Sequence, residues 1–253
     1  MYRFFYSEGC SILDDMITIT GQDVNHMKNV LRMEPGENVI ICDGQGKDYY
    51  CIIESLSCDA VKAKITKETQ SETELPTKIY LFQGLPKKEK MELIIQKAVE
   101  LGVYEIIPVM TKRSVVKIED RKKELKKVER WQAITTAAAK QSNRGVIPKV
   151  GEIMSFKQAM EFANTLDYNI MPYENAEGIK HAHEIIQHGS RQSTLGIFIG
   201  PEGGFEDAEV TLAQENQVKP ITLGKRILRT ETAGLAVLSI LMFEIENQNS
   251  GEV

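Results

Sequence analysis

The stretch Ile197-Phe198-Ile199-Gly200-Pro201-Glu202-Gly203-Gly204-Phe205-Glu206-Asp207-Ala208-Glu209-Val210 runs from an apolar segment through a glycine-rich turn into an acidic one. It reads as a strand, a turn and the start of a helix, the repeating unit of an α/β sheet. Turns of this kind commonly cradle a phosphate at the helix start. This one carries a carboxylate, Glu202, and no lysine. It lacks the G-x-x-x-x-G-K-[ST] pattern of a phosphate-binding loop. It also lacks the spacing of a dinucleotide-binding turn, which follows the first strand of its unit and precedes an acid by about 20 residues. Glu202 would repel a pyrophosphate. Two readings remain: a neutral or cationic ligand approached by bare backbone, or a tight turn whose helix dipole is met by Glu206 and Asp207.

The same alternation extends outward. TKIYLFQGL, YEIIPVMT, DYNIMPY, GIFIGP and KPITLG read as strands. Between and after them, helices are expected at KEKMELIIQKAVELG, over 121–141, at SFKQAMEFAN, around 179–187, at EDAEVTLAQEN and over about 231–246. Strands alternating with helices predict a parallel sheet covered on both faces. In the 121–141 helix, Leu125, Val128, Trp131 and Ile134 are spaced by three along one face. The last helix is apolar nearly all round, with Leu235, Val237, Leu238, Ile240, Leu241 and Phe243. Such a helix is buried on several sides, by the core or by a second subunit.

The first 70 residues read differently. ENVIICDGQGKDYYCIIESL signals a hairpin around Asp43-Gly44-Gln45-Gly46, and DAVKAKITKET alternates with Val61, Ala63 and Ile65 on one face. One helix is expected over 21–33, with Val24, Met27, Val30 and Leu31 at helical spacing and Glu34-Pro35-Gly36 as its stop. The expectation is a small β-barrel over 1–70, a linker over 71–77 and an α/β domain over 78–253.

The chain has 253 residues, with 42% hydrophobic and 26% charged, the composition of a soluble protein with a core. No apolar run reaches the ~18 residues of a membrane span, and the start does not read as a signal peptide, so a cytoplasmic protein is expected. Cys10, Cys42, Cys51 and Cys58 form no C-x-x-C pair, and His181 and His183 would point about 200° apart on a helix. No metal is expected. The net charge of −5 hides an asymmetry: residues 1–77 carry −6, 78–149 carry +9 and 150–253 carry −8. The basic middle fits either a polyanion or a solvated helix face such as RKKELKKVER.

Ligands of open α/β sheets sit at the carboxyl ends of the strands. Three loops there are distinctive: Met171-Pro172-Tyr173-Glu174-Asn175, Gly200-Pro201-Glu202-Gly203-Gly204, and the segment 223–233, LGKRILRTETA. In the third, Thr230 is expected to cap a helix and Glu231 to meet its positive end.

Together with MELIIQKAVELGV, VERWQAITTAAAKQSNRGVIPKV, VLRMEPGE, CDGQG and the Arg3–Tyr6 start, IGPEGGF and LGKRILRTETAGL resemble the ribosomal small-subunit methyltransferase E family of the SPOUT superfamily. The resemblance covers essentially the whole chain. Glu206 departs from it, standing where a Ser or Thr cap is expected. The resemblance implies a PUA-like RNA-binding barrel followed by a parallel-sheet methyltransferase domain with a trefoil knot. It also implies a homodimer and S-adenosylmethionine as cofactor. The reaction implied is methylation of N3 of a uridine in 16S ribosomal RNA, either free or in the assembled 30S subunit. The cofactor residues it implies are Pro172, Gly200, Pro201, Glu202, Gly203, Leu223, Gly224, Ile227, Leu228 and Thr230. Leu223, Ile227 and Leu228 would sandwich the adenine. Arg229 is the catalytic candidate, a fixed cation for charge developing on the base. Candidate RNA contacts are Arg3, Lys28, Arg32, Arg113, Lys117 and Arg144. The competing readings are a transfer-RNA or 2′-O-ribose methyltransferase and a non-catalytic RNA-binding dimer.

Overall fold

The computed structural model describes residues 1–6, 10–87, 89–114, 121–174, 176 and 178–249. Lys117 therefore lies outside the described residues. Two compact units emerge, Met1–Glu74 with Ala139–Ile147 and Leu75–Ala138 with Pro148–Val253.

The first unit contains β1 (Tyr2–Phe5), β2 (Ser11–Leu13), β3 (Met16–Thr20), β4 (Asn38–Cys42), β5 (Lys47–Leu56) and β6 (Ala60–Gln70). They form one sheet in the order β1-β4-β5-β6-β3-β2. Alternation decides the faces: Val61 and Ala63 are fully buried while Lys62 and Lys64 are exposed. The Asp43 carboxylate closes the expected β4–β5 hairpin by accepting from the amides of Gln45 (2.7 Å) and Lys47 (2.9 Å). Among the described residues the hydrogen-bonded ladder runs from β1 to β2, and its strands share one core that includes Ile17, Val39, Ile53 and Val61.

The helix expected over 21–33 is a short α1 (Gln22–Asn25) that widens into a π-helical turn, His26–Val30. There the Leu31 amide reaches back five residues to the His26 carbonyl at 2.9 Å. The wider turn changes the phase of the apolar stripe. Val24 and Met27 stay buried, Val30 turns outward, and Met33 packs inward in its place.

Segment 139–147 joins this unit rather than the larger one. Gly46 and Ile147 donate their amides to the carbonyls of Gly145 and Gly44, both at 3.0 Å. Glu74 accepts from the amides of Gly145 (2.8 Å) and Val146 (3.2 Å) and pairs with Arg144. Arg144 is only 4% exposed, so the expectation that it meets RNA is corrected: a carboxylate 70 residues away holds its guanidinium inside. Arg3 is corrected on the same ground. It pairs with buried Asp48 and donates to Ser71 Oγ at 3.0 Å. Ser71 and Glu74, read as linker, are thus anchors of the first unit. None of the four cysteines forms a disulfide, and burial pushes the Cys51 thiol up to about 12.

The second unit contains β7 (Lys78–Gly84), α2 (Lys90–Glu100), β8 (Glu105–Met110), most of α3 (Arg121–Gln141), β9 (Lys149–Val150) and β10 (Met154–Ser155). It continues with α4 (Phe156–Ala163), β11 (Tyr168–Pro172), α5 (Ile179–Gly189), β12 (Thr194–Ile199), α6 (Asp207–Glu215), β13 (Val218–Ile221) and α7 (Thr230–Asn249). The sheet order is β10-β8-β7-β12-β11-β13, with β9 beside β8, and the pairings are parallel as expected. The two-residue strands β9 and β10 are too short to show alternation in sequence.

One face of the sheet packs on α4 and α6 through Phe82, Phe198, Phe156, Met160 and Val210, with Phe82 and Phe198 stacked 4.3 Å apart. The other face carries α2 and α7, which touch each other. On α7, Val237, Leu238, Leu241 and Ile245 are buried, whereas Ile240 and Phe243 face outward, Phe243 at 67% exposure.

Candidate functional site

The carboxyl ends of β11 and β12 and the segment before α7 meet around two adjoining clefts of about 560 and 520 Å³. Both are lined by Pro172, Tyr173, Glu174, Ile227 and Leu228. The first adds Gly200, Pro201, Glu202, Gly203, Arg229 and Thr230, and the second adds Leu223 and Gly224. All ten expected cofactor residues and Arg229 therefore lie on one continuous concave surface. Arg113 also lines the first cleft, donating to the Gly203 carbonyl at 2.9 Å. Lys28 and Arg32 are exposed on the first unit.

The glycine-rich loop takes its shape from close backbone approach. A Cβ on Gly84, at the end of β7, would sit 2.7 Å from Pro201 N, so only glycine lets the loop cross there. Gly204 has φ +68°, the left-handed region that turns the chain into α6. Glu206 begins α6 by donating its amide to Glu209 Oε2 at 2.9 Å, and Glu209 Oε1 accepts the Lys112 amide at 2.9 Å. The departure at Glu206 is accommodated by this reach-back from the third helical residue.

Glu202 has a partner that the sequence did not reveal. Its carboxylate accepts the Lys87 amide at 3.1 Å, and its Oε1 lies 3.1 Å from Lys90 Nζ. The same ammonium lies 3.1 Å from Glu231 Oε2, a charge contact without the angle of a hydrogen bond. One lysine at the start of α2 thus braces the glycine-rich loop and the start of α7. Its two carboxylate partners, Glu202 first and then Glu231, push Lys90 up. Burial alone would raise Glu202, but its hydrogen bonds and the Lys90 charge outweigh it and hold the carboxyl below its usual range. For Glu231 the largest cause is a backbone hydrogen bond, with Lys90 adding to it, and the carboxyl is again lowered. Held ionised by a lysine, Glu231 serves the brace and the helix start.

Thr230 does not cap α7 with its side chain. Helix α7 begins at Thr230, and the Arg229 carbonyl takes the first bonds, from the amides of Thr232 (2.9 Å) and Ala233 (2.8 Å). The Thr230 hydroxyl instead donates to the Gly200 carbonyl at 2.6 Å and accepts from buried Gln83 Nε2 at 3.0 Å. Thr230 therefore fixes the glycine-rich loop to the start of α7.

Sequence reasoning also missed Phe205, Asp207 and Ile199 in the lining. Tyr173 donates to Asp207 Oδ1 at 3.2 Å, which closes one wall. The cleft joins apolar walls from Ile199, Phe205, Ile227 and Leu228 with carboxylates from Glu174 and Asp207 and cations from Lys90, Arg113 and Arg229. That lining suits a ligand with a flat apolar part and charges of both signs. Among the described residues there is no cluster able to hold a metal ion, and no helix is long and apolar enough to cross a membrane.

An RNA methyltransferase domain matches residues 73–242, and an RNA methyltransferase PUA domain matches residues 19–66. The ribosomal RNA small subunit methyltransferase E of Bacillus subtilis is 40% identical over 251 residues, covering 97% of this chain and 98% of that protein. The chain belongs to the ribosomal RNA small subunit methyltransferase E family. It is an RNA methyltransferase with a PUA-like N-terminal domain and a parallel-sheet α/β domain. The Neisseria gonorrhoeae family member, solved bound to S-adenosyl methionine, is 30% identical with a TM-score of 0.79, covering 96% of this chain and 97% of that one. A Legionella pneumophila structure in complex with the bound cofactor SAM is 31% identical with a TM-score of 0.77, covering 95% and 96%.

Proposed function

We propose that this protein binds S-adenosylmethionine in the two adjoining clefts and methylates N3 of a uridine in 16S ribosomal RNA. The observation that carries the reading is the convergence of Pro172, the Gly200–Gly203 loop and the Leu223–Thr230 segment on one surface that also presents Arg229. The names and bound cofactor of the family's solved relatives support it. So does the donor set, in which exposed Glu174 and Asp207 complement a cation and Ile227 and Leu228 offer apolar faces to an adenine.

Bound there, S-adenosylmethionine supplies a methyl group on a positively charged sulfur. The protein's part is positioning and charge. N3 of uridine attacks well only as its anion, so as the N–C bond forms and the methyl–sulfur bond breaks to leave a thioether, the N3 proton would pass to water at the open cleft. Arg229, exposed on the cleft, presents a guanidinium that stabilises the negative charge developing on the base. Holding base and methyl in line supplies a further large part of the rate. Among the described residues, Lys28, Arg32 and Arg113 are the expected RNA contacts that lie exposed for phosphates.

A trefoil-knotted chain path and a homodimer belong to the same proposal. The outward Ile240 and Phe243 of α7 support the dimer, since a monomer gains nothing from exposing them side by side. The deciding experiment incubates the protein, labelled S-adenosylmethionine and 16S RNA or 30S subunits, then maps the methylated atom. Label on N3 of one uridine supports the reading. Label on a ribose 2′-oxygen or nowhere, or label only on transfer RNA supplied in a parallel incubation, overturns it.

A further inference from the structure

Helix α3 has 21 residues and α2 has 11, roughly 30 and 16 Å of length. β7, β8 and β9 are parallel, so both helices leave the sheet at the strand ends where the clefts open and run back the same way. Their levels are pinned by Arg130, whose Nη2 lies 2.8 Å from Glu92 Oε1. Arg130 is the tenth residue of α3 and Glu92 the third of α2. α3 therefore begins about seven residues, roughly 10 Å, beyond the start of α2. It projects past the sheet on the side of Lys90 and the cleft. Burial agrees: Trp131, Thr135 and Ala138 are buried, while none of 121–130 is, and Leu125 lies open.

This projecting half carries Arg121, Lys122, Lys123, Lys126, Lys127 and Arg130 against Glu124 and Glu129, a net of +4 on a chain of −5. Lys123, Lys126, Lys127 and Arg130 fall at i, i+3, i+4 and i+7, which makes one cationic stripe. Arg121, Lys122 and Lys123 stand in the opening turn, where the helix dipole disfavours cations. We propose that the projecting half of α3 is a landing surface for the phosphate backbone of the substrate RNA beside the cleft. Charge complementarity selects the occupant, and the proposal rests on the RNA methyltransferase reading above.

The test replaces Arg121, Lys123, Lys126 and Lys127 together by Ala, which preserves the helix, and in a second variant replaces the three lysines by Arg. Affinity for a 16S RNA transcript is measured against salt concentration, alongside S-adenosylmethionine affinity. The expected result is a log–log salt slope shallower by about 3 in the Ala variant, from four lost phosphate contacts at ~0.7 each. The Arg variant should keep the original slope, and cofactor affinity should stay unchanged in both. An Ala variant with the original slope overturns the landing surface while leaving the RNA reading intact. An Ala variant that loses cofactor affinity, with the Arg variant no better, also overturns it by giving the stripe a structural role. A native protein that binds no RNA brings down both readings.

Discussion

Arg144 and Arg229 are both arginines at helix ends, and their fates are opposite. Arg144 follows α3 in the first unit, where its amide still bonds back to the Ala139 carbonyl at 3.0 Å. Its guanidinium is buried on Glu74, which also gathers two backbone amides. Arg229 precedes α7, and its side chain lines the cleft, exposed. A cation claimed by a buried carboxylate is part of the scaffold. One left exposed on a concave surface can face a ligand.

The largest expected effect follows from that contrast. Arg229→Ala should lower turnover on RNA by roughly 10²–10³, the scale of losing a preorganised charge in a site. Cofactor affinity by calorimetry and the urea midpoint should stay near the original. If stability falls instead, Arg229 belongs with Arg144. Next, Arg144→Ala should destabilise by about 2 kcal/mol in urea unfolding, below the full cost of breaking a buried pair because Glu74 retains its amide donors. Turnover per folded molecule should be unaffected, and a selective loss of RNA binding would return Arg144 to the RNA surface.

Lys90→Met sits between the two. Losing the brace should weaken S-adenosylmethionine about tenfold, roughly 1.4 kcal/mol, and Lys90→Arg should restore most of it. Equal binding by Lys90→Met would mean the loops hold their shape without the ammonium. The smallest effect is on pH. Burial would raise the Glu74 carboxyl, but bonds from Arg144 and from the amides of Val146 and Gly145 outweigh it and hold it below its usual 4.5. A carboxyl lowered by folding contributes stability in full above about 4.5 and loses it as pH falls through the lower folded value. Glu74→Gln should therefore show a weaker loss of stability between pH 6 and pH 3.5 than the native chain. Parallel curves would remove Glu74 as an acid-sensitive clasp.

The same pair of arginines shows what could be read in advance. The five long strands of the second unit were legible because apolar runs end in glycine or proline turns. The cleft residues were legible because the Gly200 loop and the Leu223–Thr230 segment are unusual in composition as well as position. The burial of Arg144 was not, because Glu74 is 70 residues distant and nothing local marks the pair. The brace was hidden for the same reason: Lys90, Glu202 and Glu231 lie in three separate segments. In the 21–33 helix the periodicity was right until the π-helical turn, which leaves no sign in an apolar count.

The bare crossing of Gly84 beneath Pro201 carries a wider consequence. Two main chains in direct contact form a floor that side-chain exchange cannot reshape, so the depth of the cleft is fixed by topology alone. Any drift toward a different nucleotide or RNA segment has to be written on the walls and rim above that floor.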